Sequence, residues 1–183
     1  NLISGTDKTI FPLAFPENAL ISQIRINENE FQSKSTDSFI WMNFDRVYNV
    51  KSLEISKNNI STDATVVDGV WSLDIYLCGL HNVEQFIFEE NFVFGISSKT
   101  LEEGGFAPSL TTIDCWSGTG MQLSNVQRIS FSHNTLIGGG EYLFKFALGG
   151  TSDSGSFDTV ELTTITNIGE FTISNNTFLF PED

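Results

Sequence analysis

A single pattern recurs along this chain: Asn, aliphatic, two variable residues, apolar, any residue, apolar, two variable residues, Asn, any residue, apolar. An internal repeat of this kind narrows the fold more than any other feature of a sequence. It reads NVKSLEISKNNI from Asn49, NVEQFIFEENFV from Asn82, NVQRISFSHNTL from Asn125 and NIGEFTISNNTF from Asn167, and a fifth copy, ALISQIRINENEF from Ala19, lacks the leading Asn. The second asparagines are Asn29, Asn58, Asn91, Asn134 and Asn176, so the steps between copies are 29, 33, 43 and 42 residues.

Each copy predicts local structure. Its apolar residues alternate, as in Leu53 and Ile55 or Phe171 and Ile173, which puts them on one face of a strand while Glu54 and Thr172 face out. The second Asn is expected to be the turn residue that ends the strand, because its short amide tolerates left-handed backbone. Where such turns stack, amides can bond the equivalent residue above and below. The apolar residue two further on (Ile60, Leu136, Phe178) then points back inside. Further strands are expected at 39–44, 73–77, 142–148 and 160–165, with polar or Gly-rich excursions at 61–69, 95–109 and 149–158. Residues 1–18, with Pro12 and Pro16, read as a lead-in strand or cap before repeats over 19–180.

With 183 residues, 40% of them hydrophobic and 17% charged, the chain can form one domain with a substantial core. The 17 Phe and the abundance of Thr, Ser, Asn and Gly favour strands and turns over helices. A net charge of -14 with only nine Lys plus Arg argues against nucleic acid, whose phosphates need clustered cations. No apolar run approaches the length of a membrane span, and no signal peptide is evident. The two cysteines, Cys78 and Cys115, are too few for a disulfide scaffold and leave open one bridge or two thiols. Asn59-Ile60-Ser61 and Asn175-Asn176-Thr177 are sequons that would accept glycans in a eukaryotic secretory route. The chain starts at Asn1, which suggests a processed protein or part of a longer one.

Val50 to Ile60 fits the leucine-rich-repeat pattern, yet steps of 43 and 42 exceed that repeat, and the intervening segments read as strands. The strings MQLSNVQRISFSHNTL and VELTTITNIGEFTISNNTF resemble coils of right-handed parallel β-helices of the pectate-lyase-like superfamily. The resemblance implies an all-β, right-handed parallel β-helix (a solenoid) of about five coils with loop insertions. FEEN at Phe88 and FSHN at Phe131 are similar to the Phe-x-x-Asn repeat of autotransported polymorphic membrane protein adhesins, although no Gly-Gly-Ala partner occurs.

Chemistry on this frame is sparse. The outward acids expected on the first strand, Asp74, Asp114 and Glu161, form no close pair, and the lyase and polygalacturonase motifs that the superfamily resemblance would predict do not occur. His133 is expected to be an exposed turn residue, and His81, aligned with Tyr48, Ser124 and Thr166 before the leading Asn, an exposed one too. The acidic excursions bring forward Asp63, Asp68, Glu102, Glu103, Asp153 and Asp158, which could supply oxygens to calcium or simply form a solvated ridge. Trp41, Trp71, Tyr76 and Trp116 lie near strand ends, and any that point outward could stack on sugar rings. The sequence therefore predicts an extracellular or cell-surface binding module for a glycan or protein ligand. A polysaccharide lyase, hydrolase or tailspike fragment and a structural spacer are the alternatives.

Overall fold

The computed structural model describes residues 2–5, 9–12, 21–33, 40–66, 71–97, 109–114, 121–138, 142–146 and 165–180. These form strands β1 (Leu2–Gly5), β2 (Thr9–Pro12), β3 (Gln23–Asn27), β4 (Glu30–Ser33), β5 (Ile40–Tyr48), β6 (Ser52–Ser56), β7 (Asn59–Val66) and β8 (Trp71–Glu89). They continue with β9 (Phe92–Ser97), β10 (Ser109–Asp114), β11 (Gln122–Ser132), β12 (Thr135–Gly138), β13 (Tyr142–Phe146), β14 (Ile165–Ser174) and β15 (Thr177–Leu179). No helix occurs among the described residues.

The strands make two parallel sheets. One has six strands in the order β1-β4-β7-β9-β12-β15; the other has nine, in which β8 joins β5, β6, β10 and β11, β2 extends β5, β3 extends β6, and β13 and β14 extend β10 and β11. Parallel pairing places like residues of successive repeats beside one another. Ile24, Leu53, Phe86, Ile129 and Phe171 form one registered column, and Ile26, Ile55, Phe88, Phe131 and Ile173 form the next. Phe31, Ile60, Val93, Leu136 and Phe178 form the corresponding column of the six-stranded sheet. The inner members of all three columns are buried, and aromatic rings fill the wide middle of the core: Phe131 lies 5.0 to 6.3 Å from Phe86, Phe88, Phe144, Phe146 and Phe171.

The two asparagines of the template do different work. The left-handed residue at the second turn is the one before the second Asn, not that Asn itself: Glu28, Lys57, Glu90, His133 and Asn175 have φ of 53 to 56°. The expectation that Asn58 and its equivalents take the left-handed backbone is thereby corrected. A buried amide at that turn is worth more as a cross-link than as a conformational hinge, since an extended backbone aims it along the stack. Asn91 shows the arrangement: its Oδ1 accepts from the backbone N and Nδ2 of Asn58, while its Nδ2 donates to Ile55 O and to Asn134 Oδ1. The chain of amide bonds runs without a break from Asn29 through Asn58, Asn91 and Asn134 to Asn176. Asn58, Asn91 and Asn134 are at most 2% exposed and use both amide hydrogens, so their burial leaves no polar orphan.

The leading asparagines, Asn49, Asn82, Asn125 and Asn167, are exposed, have φ of 53 to 55°, and form a second ladder. It runs with the opposite polarity, each later residue donating to the earlier one. The aliphatic residue that follows each of them packs inward: Val50, Val83 and Val126 are buried, and Ile168 packs against the core.

Three expectations need correction. Residues 61–66 are not an excursion but the end of β7, in which Thr62 is buried; the β-branched run there pairs with β9 across a register irregularity. Strand β10, of which the sequence marked only Asp114, has among its inward positions Thr111, fully buried beside Leu73, which breaks the apolar alternation. Phe171, Ile173 and Phe178 are 45 to 54% exposed, although they end buried columns, because β14 and β15 are the last strands of their sheets. Of the expected strand at 160–165, residues 160–164 lie outside the described ones.

Cys78 is buried and disulfide-bonded, and the sequence has one other cysteine, Cys115, which lies outside the described residues. The open alternative between a bridge and two thiols is thus decided for the bridge. Titration in denaturant is expected to find no thiol before reduction and two after it, and reduction is expected to cost about 2–5 kcal/mol of unfolding free energy. A free thiol in the unreduced protein contradicts this.

Candidate binding face

The outer side of the nine-stranded sheet carries a group of aromatic and polar side chains, of which Tyr76 also packs against the core. Alternation determines which residues reach it. Ile40, Met42 and Phe44 of β5 and Leu73, Ile75 and Leu77 of β8 are fully buried, so Trp41, Asn43, Asp74 and Tyr76 lie on the opposite side. Register puts Trp41 beside Asp74 and Asn43 beside Tyr76.

Trp41 and Tyr76, both half-buried, meet edge to face with centroids 6.2 Å apart and planes at 85°. That arrangement suits the quadrupoles of the two rings and fixes their orientation. Asp74 is only 2% exposed even though it lies on this outer side. Trp41 Nε1 is buried and makes no hydrogen bond. A donor left unmade inside a protein costs about 1–3 kcal/mol.

Beyond this pair β5 carries a bulge against β8, between Asn43 and Arg46. Bulges re-aim the side chains that follow them. Here Val47 and Leu80 turn inward and are fully buried, while Tyr48 and His81 share the outer side. Their rings stack at 4.9 Å and 14°, and His81 Nδ1 lies 2.7 Å from Ser124 Oγ. The imidazole folds over Gly79, where a Cβ would come within 2.8 Å of His81 Nε2. His81 is therefore not the freely exposed residue expected from the sequence: it is half-buried between a ring and a hydroxyl. His133, in contrast, is exposed at a left-handed turn as expected.

Of the four aromatics singled out in the sequence, the structure brings together Trp41 and Tyr76. The backbone of Trp71 begins β8, but its side chain, like all of Trp116, lies outside the described ones. Among the acids proposed for calcium, Asp63 falls within β7 with its side chain not described, and Asp68, Glu102, Glu103, Asp153 and Asp158 lie outside the described residues. Among the described residues no group of three or more His, Cys, Asp and Glu gathers as a metal site would require. The residues that sequence reasoning passed over are Asn43, Tyr48, His81 and Ser124. For the last three the signal was the alignment of Tyr48, His81, Ser124 and Thr166 one place before the leading Asn, which parallel register converts into a single row.

A recess of about 410 Å³ lies further along the leading-Asn corner, lined by Asn125, Val126, Gln127, Asn167, Ile168 and Gly169. Gly169 is required there because a Cβ would fall 2.5 Å from Gln127 O. No helix among the described residues is long and apolar enough to cross a membrane. Searches of protein-family models, curated proteins and solved structures return no match to this chain.

Proposed function

We propose that this chain is a right-handed parallel β-helix of about five coils, and that the outer side of its broad sheet is the glycan-binding face of an extracellular or cell-surface adhesion module. The two all-parallel sheets, the like-on-like columns and the two asparagine ladders support the solenoid. The bridged Cys78 suits an oxidising compartment.

The observation that carries the binding reading is Trp41. Its ring stands edge to face with Tyr76, next to the low-exposure carboxylate of Asp74, and its indole N–H has no acceptor. A sugar offers a weakly polar C–H face that packs on aromatic rings such as these. Beyond the bulge, Tyr48, His81 and Ser124 would extend the same surface along the strands.

The test is a glycan array on the purified chain, with calcium and with a chelator. Binding is expected, and Trp41→Ala and Tyr76→Ala are each expected to weaken it about tenfold or more, equivalent to about 1.4 kcal/mol. Retained binding in both variants, or no binding by the parent, overturns the assignment. Calcium dependence would bring in the acidic excursions. The low exposure of Asp74 also suits a polysaccharide-cleaving enzyme; cleaved products from a bound glycan would favour that reading, and intact glycan favours adhesion.

A further inference from the structure

The six-stranded sheet carries a feature that the binding face does not explain. Register aligns Leu2, Glu30, Asn59, Phe92, Thr135 and Thr177 in one row. Four of the six are polar. Phe92 is apolar and 39% exposed, while its neighbour Val93 is fully buried in the core. Asn59 is the acceptor residue of the sequon Asn59-Ile60-Ser61; it is exposed, and Ile60 behind it is fully buried. Adjacent parallel strands lie about 4.8 Å apart, so the Asn59 amide and the Phe92 ring are side by side on the surface. Both are held there by the backbone: Asn59 N donates to Asn29 O at 2.8 Å and Phe92 N donates to Asn58 O at 2.9 Å.

We propose that Asn59 is N-glycosylated and that the first N-acetylhexosamine of the glycan lies across the exposed ring of Phe92. The proposal rests on the extracellular setting inferred above. The donor is a polyprenyl-diphosphate-linked oligosaccharide. The amide nitrogen of Asn59 forms a bond to the anomeric carbon as the bond from that carbon to the diphosphate oxygen breaks. The diphosphate leaves with the electron pair, and one amide proton passes to a basic group of the transferase. Once the strand is in place, the apolar face of the sugar covers the ring and removes its edge from water. The second sequon sits in a different backbone setting. Asn175 is exposed at a left-handed turn, with its Nδ2 3.3 Å from His133 Nε2.

The experiment secretes the chain from eukaryotic cells as the parent, Asn59→Gln, Phe92→Ser and the double variant. Peptide mass after enzymatic deglycosylation reads occupancy at Asn59, and thermal melts read the partnership. Phe92 lies on the outer side, so its loss leaves the core intact. Expected results are an occupied Asn59 and a melting temperature lowered by about 2–4 °C in Asn59→Gln when Phe92 is present, with no such drop in the Phe92→Ser background. An unmodified Asn59, or the same drop in both backgrounds, overturns the proposal. Occupancy is read by mass whether or not the outer sheet binds array glycans, so failure here and failure of the binding reading are told apart.

Discussion

Asn91→Ala is expected to lower the unfolding free energy by about 3–5 kcal/mol, one of the largest effects of any single polar substitution in this chain. The side chain holds four hydrogen bonds, two accepted from Asn58 and two donated to Ile55 O and Asn134 Oδ1. Its truncation strips partners from the Asn58 N–H and the Ile55 carbonyl in a site that is 1% exposed. Net contributions of about 0.5–1.5 kcal/mol per bond are then compounded by groups left buried and unmade. Leu at this position fares no better, because its volume replaces the amide without satisfying the backbone. Asn29→Ala should cost less, about 1–2 kcal/mol, since Asn29 is only half-buried and water can reach the groups its amide leaves. Urea melts with an unchanged slope and a midpoint shift that is large for Asn91 and small for Asn29 would bear this out. Equal shifts would show that the ladder is an ornament of the fold and not one of its supports.

Phe131→Ala is expected to cost about 3–5 kcal/mol by emptying the middle of the core. Five phenylalanine rings surround this 2% exposed side chain, two of them from β8, two from β13 and one from β14, so the cavity has no single flexible neighbour to fill it. Phe178→Ala supplies the internal comparison. Phe178 is the terminal member of a column, 45% exposed, and its truncation should cost about 1 kcal/mol. The two substitutions remove the same atoms from inward columns of different sheets, one from the middle of its column and the other from its end. The ratio of their costs therefore measures how far the core extends toward the last strands.

Much of the frame was legible in the sequence because burial in a parallel stack repeats the same choice at the same place. Leu53, Ile55, Ile60 and Leu136 fall inside as the alternation requires. What escaped had specific causes. The amide template marked the second turn correctly, but the recurring Asn draws the positive φ to itself in a sequence reading, while the residue that bears it varies; Lys57, Glu90 and His133 have nothing in common except their place. Thr111 concealed β10, because a buried hydroxyl looks like an exposed one in a sequence. The binding face was half-visible: Trp41 and Tyr76 stand out by type, whereas the pairing of Tyr48 with His81 depends on a bulge that no local pattern announces.

The two left-handed residues of a repeat are always eight residues apart, as in Asn49 and Lys57, Asn82 and Glu90, Asn125 and His133, and Asn167 and Asn175. The distance from one repeat to the next is not constant and ranges from 29 to 43 residues. Chain closure grows costlier only logarithmically, by about 0.6 kcal/mol for each doubling of a loop. Length is thus rigid in one short span and almost free elsewhere. A lineage built on this plan can acquire and shed side loops, and with them new specificities, by small insertions that leave the spine's punctuation untouched, while a single inserted residue inside the span breaks both ladders at once.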